Sequence, residues 1–138
     1  MTIFDTFPDV EAAVGWYLRN AGVASGRVYS SIPSSPTFPL VTYERIGGVP
    51  AERHRLDRAR IQFMIWGNSK SEARDLTELV RVTVNDMEGR TLTVAGGAPV
   101  DAVITGVELD LGVTWSPDPP TDRDRYLFGM AIYIHAYP

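Results

Sequence analysis

The chain contains no cysteine. That excludes a disulfide framework and any thiolate metal site, and it suits a reducing compartment. No apolar run approaches the ~18 residues needed to span a bilayer, so no membrane contact is expected. The opening Met-Thr-Ile-Phe-Asp-Thr-Phe-Pro-Asp lacks both a basic n-region and an apolar h-region and does not read as a signal peptide. These absences point to a soluble protein made in a cytoplasm. Chemical signatures are missing too: there is no Gly-x-Gly-x-x-Gly after a strand, no Gly-x-x-x-x-Gly-Lys-Ser/Thr, no His-Glu-x-x-His and no Gly-x-Ser-x-Gly. The two histidines, His54 and His135, have no partner at ligand spacing. Asp118, Asp122 and Asp124 share one loop, but a calcium loop needs a glycine turn where this one has prolines. No metal, no cofactor and no catalysis are therefore expected. A basic excess is also lacking: the formal charge is −4, which argues against a nucleic-acid binder.

What is present is ordinary for a globular chain. With 138 residues, 44% of them hydrophobic, one domain spanning 1–138 can bury about two-thirds of its unfolded surface. The stretch Arg58 to Gly89 organises it. Ala59, Ile61, Phe63 and Ile65 alternate with Arg58, Arg60 and Gln62, the period of a strand with one buried face. Gly67-Asn68 breaks that strand, and Ser69-Lys-Ser-Glu72 predicts a capping box in which Ser69 and Glu72 bond each other's backbone donors. Ala73, Leu76, Val80, Val84 and Met87 then lie within a stripe of about 80° on a helix, with Gly89 as its stop.

The flanks are read the same way. Thr6-Phe-Pro-Asp9 predicts a helix start with a hydroxyl cap, followed by Val10, Ala13, Val14, Tyr17 and Leu18 on one face and a stop at Asn20-Ala-Gly22. Strands are expected over Arg27–Ile32, Leu40–Ile46 and Arg90–Val94, with a Gly96-Gly97 turn after the last. The mixed pattern of Leu40–Ile46 fits an edge strand or a face used by a partner. Gly47 to Asp57 reads as a long connection with a solvated tip, or as a basic contact loop carrying Arg53, His54 and Arg55.

From Val100 to Trp115, Val103, Thr105, Val107, Leu109, Leu111, Val113 and Trp115 are expected to share one face. A strand this long should bulge or bend at Gly106 or Gly112. Ser116 to Asp124 is a proline- and charge-rich loop. Arg125–Tyr137 is a last strand that buries Tyr126, Phe128, Met130, Ile132 and Ile134. Its other face, with Leu127, Gly129, Ala131, Tyr133 and His135, is too apolar for open solvent, so the strand is either central or covered by another subunit. The expected fold is α+β, a mostly antiparallel sheet with two helices packed on one face.

Two features suggest association. Val82 points about 180° from Ala73, on the charged side of the second helix. Met64 and Trp66 lie on the face of Arg58 and Arg60, in a second buried layer or an intersubunit seam.

Certain segments together carry a family resemblance: Arg27-Val-Tyr-Ser-Ser-Ile-Pro33, Phe38-Pro-Leu-Val-Thr-Tyr43, Ile61-Gln-Phe-Met-Ile-Trp-Gly67, and Ser71-Glu-Ala-Arg-Asp-Leu76 running into Val80-Arg81. This pattern resembles the tail-terminator (tail-completion, minor tail protein U-like) family of long-tailed bacteriophages, most strongly from Val28 to Met87. The resemblance implies a structural virion protein without an active site. It implies a homo-hexameric ring that caps the tail tube protein, stops its polymerisation and meets a head–tail connector protein, with DNA only passing through the bore. An acidic chain suits such a bore, because negative walls repel phosphates. The candidate subunit contacts are Arg53, Arg55, Arg60, Met64, Trp66, Val82, Asp118 and Arg123. The alternatives are a head–tail neck subunit, and a small-molecule-binding or hydrolytic α+β domain with an enclosed pocket.

Overall fold

A computed structural model describes residues 8–52, 55–94 and 100–135 of the chain. Among them are helices α1 (Val10–Asn20) and α2 (Lys70–Asn85). The strands are β1 (Val28–Tyr29), β2 (Leu40–Gly47), β3 (Pro50–Glu52), β4 (Leu56–Trp66), β5 (Thr91–Val94), β6 (Val100–Trp115) and β7 (Arg125–His135). The strands form one sheet in the order β1-β2-β4-β7-β6-β5, with β3 also pairing with β4. Every pairing is antiparallel except that of β1 with β2. The α+β expectation, with both helices on one face, is what the structure has.

The alternation of β4 explains its place. Ala59, Ile61, Phe63 and Ile65 are fully buried on the helix-bearing face, between Val41 and Tyr43 of β2 and Phe128, Met130, Ile132 and Ile134 of β7. The expected stripe of α2, Ala73 through Met87, closes over them with Val10, Val14 and Leu18 of α1. Their side chains pack into one hydrophobic cluster between the sheet and the helices. The last strand proves to be central, flanked by β4 and β6, and its Ala131 is fully covered.

Local signals differ from expectation in instructive ways. The cap of α1 is Asp9, whose carboxylate accepts from the Ala12 N–H; Thr6 lies outside the described residues, as do His54, the Gly96-Gly97 turn and Tyr137. A carboxylate at an N-cap position serves the same exposed donors as a hydroxyl. Tyr17, expected in the buried stripe, is only half-buried and turns its hydroxyl to Asp86. At α2 the Ser69 hydroxyl accepts from the Glu72 N–H as expected, but the Glu72 carboxylate reaches one residue further back, to the N–H of Asn68. The helix ends at Asn85, and Gly89 takes its positive φ in the turn beyond.

The strand expected over Arg27–Ile32 shortens to two residues. The connection from Gly47 to Asp57 contains β3, which folds back on Leu56 and Asp57. Pro50 hid this strand, since proline is tolerated only where a ladder hydrogen bond is not required. Gly48 permits the fold-back: its φ is +100°, and a Cβ there would collide with the Arg58 carbonyl.

β6 departs most. Its buried positions at the start are Ala102 and Ile104, and Val103 is exposed. Register shifts fall between Ile104 and Gly106, Leu109 and Leu111, and Leu111 and Thr114. Each extra residue inverts the parity of those that follow. Val107 and Leu109 therefore lie opposite Ile132 and Met130 of the core face, but Leu111 lies opposite Gly129 of the other. The seven alternating residues do not share one face. Bulges were expected at Gly106 or Gly112, and both glycines fall within shifted segments.

Candidate functional site

The face of the sheet turned away from the helices carries most of the organised polar chemistry. Arg58 and Arg60 on β4 project there, and β7 brings Tyr133 beside Arg58 in register. The Arg58 Nε donates to the Tyr133 hydroxyl (3.1 Å), which donates to Glu108 Oε1 (2.9 Å). Arg58 Nη2 also approaches Glu108 (3.3 Å) and Asp110 (3.4 Å), while Arg60 Nε donates to Asp110 Oδ2 at 2.7 Å. Gly106 makes room, because a Cβ there would press on the Tyr133 ring at 3.3 Å. The network staples β4 to β6 across β7.

The hydrogen bond from Arg60, outweighing burial, holds the Asp110 carboxyl below the usual carboxylate range; Arg58 adds to it. A depressed folded value means the stabilisation is present above the unfolded pKa of about 3.9 and is lost as pH falls through the folded value. Asp110→Asn is expected to cost about 1 kcal/mol at neutral pH, in the range of partly exposed ion pairs. The difference from wild type should shrink below pH ~4. Urea titrations across pH 3 to 7, a range chosen to bracket ~3.9, read this directly, and a pH-independent difference would contradict it.

A second cluster joins the Ser116–Asp124 loop to the start of α2. Trp66 is only 7% exposed. Its ring packs against Phe38 (6.2 Å between centroids), and the Arg125 guanidinium lies 5.0 Å from its centroid. Arg123 stacks on Phe38 at 3.7 Å and donates to Asn68. Asp118 faces Arg125 at 3.7 Å and accepts from Thr121 at 2.6 Å. Lys70, the one lysine of the chain, sits 4.1 Å over the Trp115 ring. Trp66 thus belongs to a buried layer, with the part-buried Met64 beside Arg125.

The sequence-derived contact residues separate in space. Arg60 sits in the first cluster; Met64, Trp66, Asp118 and Arg123 meet in the second. Val82 stands 55% exposed on α2 beside Tyr17 and Asp86. Arg55 is exposed in the β3–β4 turn, and Arg53 lies outside the described residues. Near Val82, Tyr17 donates to Asp86 (2.7 Å) and Arg90 holds the same carboxylate (2.9 Å). Burial and that hydrogen bond raise the Tyr17 pKa, while the bond to Tyr17 lowers that of Asp86.

Sequence reasoning did not find a recess of about 220 Å³ on the outer face, lined by Ser31, Ile32, Thr42, Glu44, Met64 and Trp66 among others. It opens to solvent and has no cluster of titrating groups, so it lacks the enclosure that a hydrolytic pocket needs. Among the described residues no group of three or more metal-ligating side chains converges, and each buried side-chain polar atom has a hydrogen-bond partner. Nor did sequence reasoning find the exposed apolar run on β6, where Leu109 is 54% and Trp115 45% exposed, with Leu111 and Val113 between them. A strand read as alternating gives no sign that bulges leave its apolar residues exposed on both faces.

Comparison with known proteins fits this geometry. A solved structure titled "Virion of native gene transfer agent (GTA) particle" contains a chain of the same fold: TM-score 0.57, 15% identity, covering 91% of this chain and 94% of that one. A search of curated protein sequences found no match. The family described as "Tail completion protein gp17" matches residues 13–107, which run from α1 into the bulged part of β6. The chain belongs to the tail completion protein gp17 family.

Proposed function

We propose that this protein is a structural component of a tailed phage-like particle. Six copies form a ring that caps the tail tube at its head-proximal end, stops its polymerisation and offers a surface to the head connector. DNA passes through the bore without being bound. Assembly takes place in the host cytoplasm, and the ring needs no cofactor and performs no catalysis. The observation that carries this reading is the family match over residues 13–107, spanning the whole strand–turn–helix unit from β4 to α2. The fold shared with a chain of a gene transfer agent virion supports it. So does the chemistry of the surface, where the arginines on the outer face are engaged with carboxylates in their own sheet. Their charge is balanced within the sheet, which leaves that face little attraction for the phosphates of passing DNA.

Deleting the gene should give overlong tails without heads, as seen by electron microscopy. Tails of normal length that fail to join heads would favour the neck-subunit reading instead. Normal, head-bearing particles would sink both.

A further inference from the structure

Beside the first turn of α2 lies a recess of about 410 Å³ lined by Lys70, Ser71, Arg74 and Tyr126. The positive end of the helix is here, and among the described residues the N–H groups of Lys70 and Ser71 have no acceptor. Neither cation is committed to a carboxylate at close range. Lys70 holds its Nζ 4.1 Å over the Trp115 ring. Arg74 has only Asp75, at 3.8 Å, with both side chains well exposed. Tyr126 forms the remaining wall and is only 8% exposed. Among the described residues its hydroxyl has no hydrogen-bond partner, yet no enclosed side-chain oxygen there lacks one. The hydroxyl is therefore the part of Tyr126 that keeps open surface, and the recess is what it opens into. The hydroxyls of Tyr17 and Tyr133 differ, since each donates to a carboxylate of this chain. That of Tyr126 is a donor held beside two cations with no acceptor of its own.

We propose that this recess binds a carboxylate carried on an acidic segment of a partner protein. Lys70 and Arg74 supply the opposite charge, the hydroxyls of Tyr126 and Ser71 donate to the carboxylate oxygens, and the helix end adds its dipole. Trp115 is paired in register with Tyr126 and is 45% exposed, so part of its indole receives an apolar neighbour of that acid. A single carboxylate fits better than nucleic acid. A phosphate backbone brings charge after charge along its length, and Glu72 and Asp75, which alternate with Ser71 and Arg74 on the helix, repel those that follow. The inference rests on the reading above only in taking the partner from the particle.

The purified chain is titrated with the blocked tripeptide Leu-Glu-Leu while the Lys70 and Ser71 amides are followed by NMR. Saturable shifts are expected from this peptide and not from Leu-Gln-Leu. Lys70→Gln should weaken binding about ten-fold. Tyr126→Phe should weaken it about three-fold with Tm unchanged, because the hydroxyl has no partner in the chain to lose. Equal shifts from the glutamine peptide overturn the proposal, as does unchanged affinity in both variants. A short DNA duplex that gives the same shifts at lower concentration than the peptide also overturns it, and makes the recess a nucleic-acid contact. Because Lys70 is the one lysine of the chain, a second measurement is available in particles. A carbodiimide, which joins an amine to a touching carboxylate, should couple Lys70 to an acidic side chain of a different chain, as read by mass spectrometry. Coupling only to Glu72 or Asp75 of its own helix overturns the proposal. The titration needs no particle, so a failure of the tail reading, seen in the deletion, is distinct from a failure of this site.

Discussion

Arg45→Ala is expected to lower stability by about 3 kcal/mol, at the low end of what breaking a buried ion pair costs. Asp57 lies at the start of β4, on its helix-bearing face, and is only 3% exposed. Its two oxygens accept from the two terminal nitrogens of Arg45, at 2.6 and 2.8 Å, and Arg45 Nε donates to the Gly47 carbonyl at 3.1 Å. The bond to Asp57 raises the guanidinium pKa further above its already high value, against the effect of burial. Alanine removes the fork and leaves the Asp57 carboxylate without a partner among the described residues, in a place water scarcely reaches. About a third of the Arg45 side chain is exposed, so some water enters after truncation, which is why the low end applies. The pair also holds the β2–β3 turn against β4, so local protection of Gly47 to Asp57 in hydrogen exchange should fall before global stability does. The double variant Arg45→Ala with Asp57→Asn should recover part of the loss, because the orphaned charge is gone. Urea unfolding of the four species of this cycle measures it; equal losses from the single and double variants would show that the buried charge is not the cause.

The second large effect is at the centre of the sheet. Phe63 and Phe128 face each other across β4 and β7, both fully buried, with ring centroids 5.0 Å apart and planes at 17°. Phe63→Ala deletes a ring from a filled core and from a stacked cross-strand pair. The expected cost is about 4 kcal/mol, which lowers Tm by on the order of 10 °C. Phe63→Leu should cost clearly less, because it restores volume without the stack. Calorimetry of both variants tests this, and equal losses would mean that stacking, not volume, dominates.

Much of this was legible because local periodicity survives folding. The strand through Phe63 and the helix Lys70–Asn85 obey one period each over many residues, so their buried faces could be read directly. The polar turn Gly67-Asn68-Ser69 marks the join chemically. The family resemblance lay in the same stretch, and the matched segment 13–107 contains it.

β6 was misread for a physical reason. A bulge costs one residue of register and leaves no mark in composition, so three of them scramble an alternation that looks perfect on paper. The hairpin through Pro50 was hidden by a residue that disfavours strands. The arginine–carboxylate network joins residues fifty apart in the chain, and no local pattern connects them.

The amino-acid order alone thus determined the α+β class, the two helices, the buried face of β4 and β7, and the family. It could do so for the elements because each depends on apolar spacing within a dozen or so residues, and for the family because the segments that resemble it are themselves contiguous. Only the tertiary structure decided the strand order, which margins of the sheet stay open, and which arginines are already paired. Those depend on where distant segments meet, and a chain's local pattern carries little of that information.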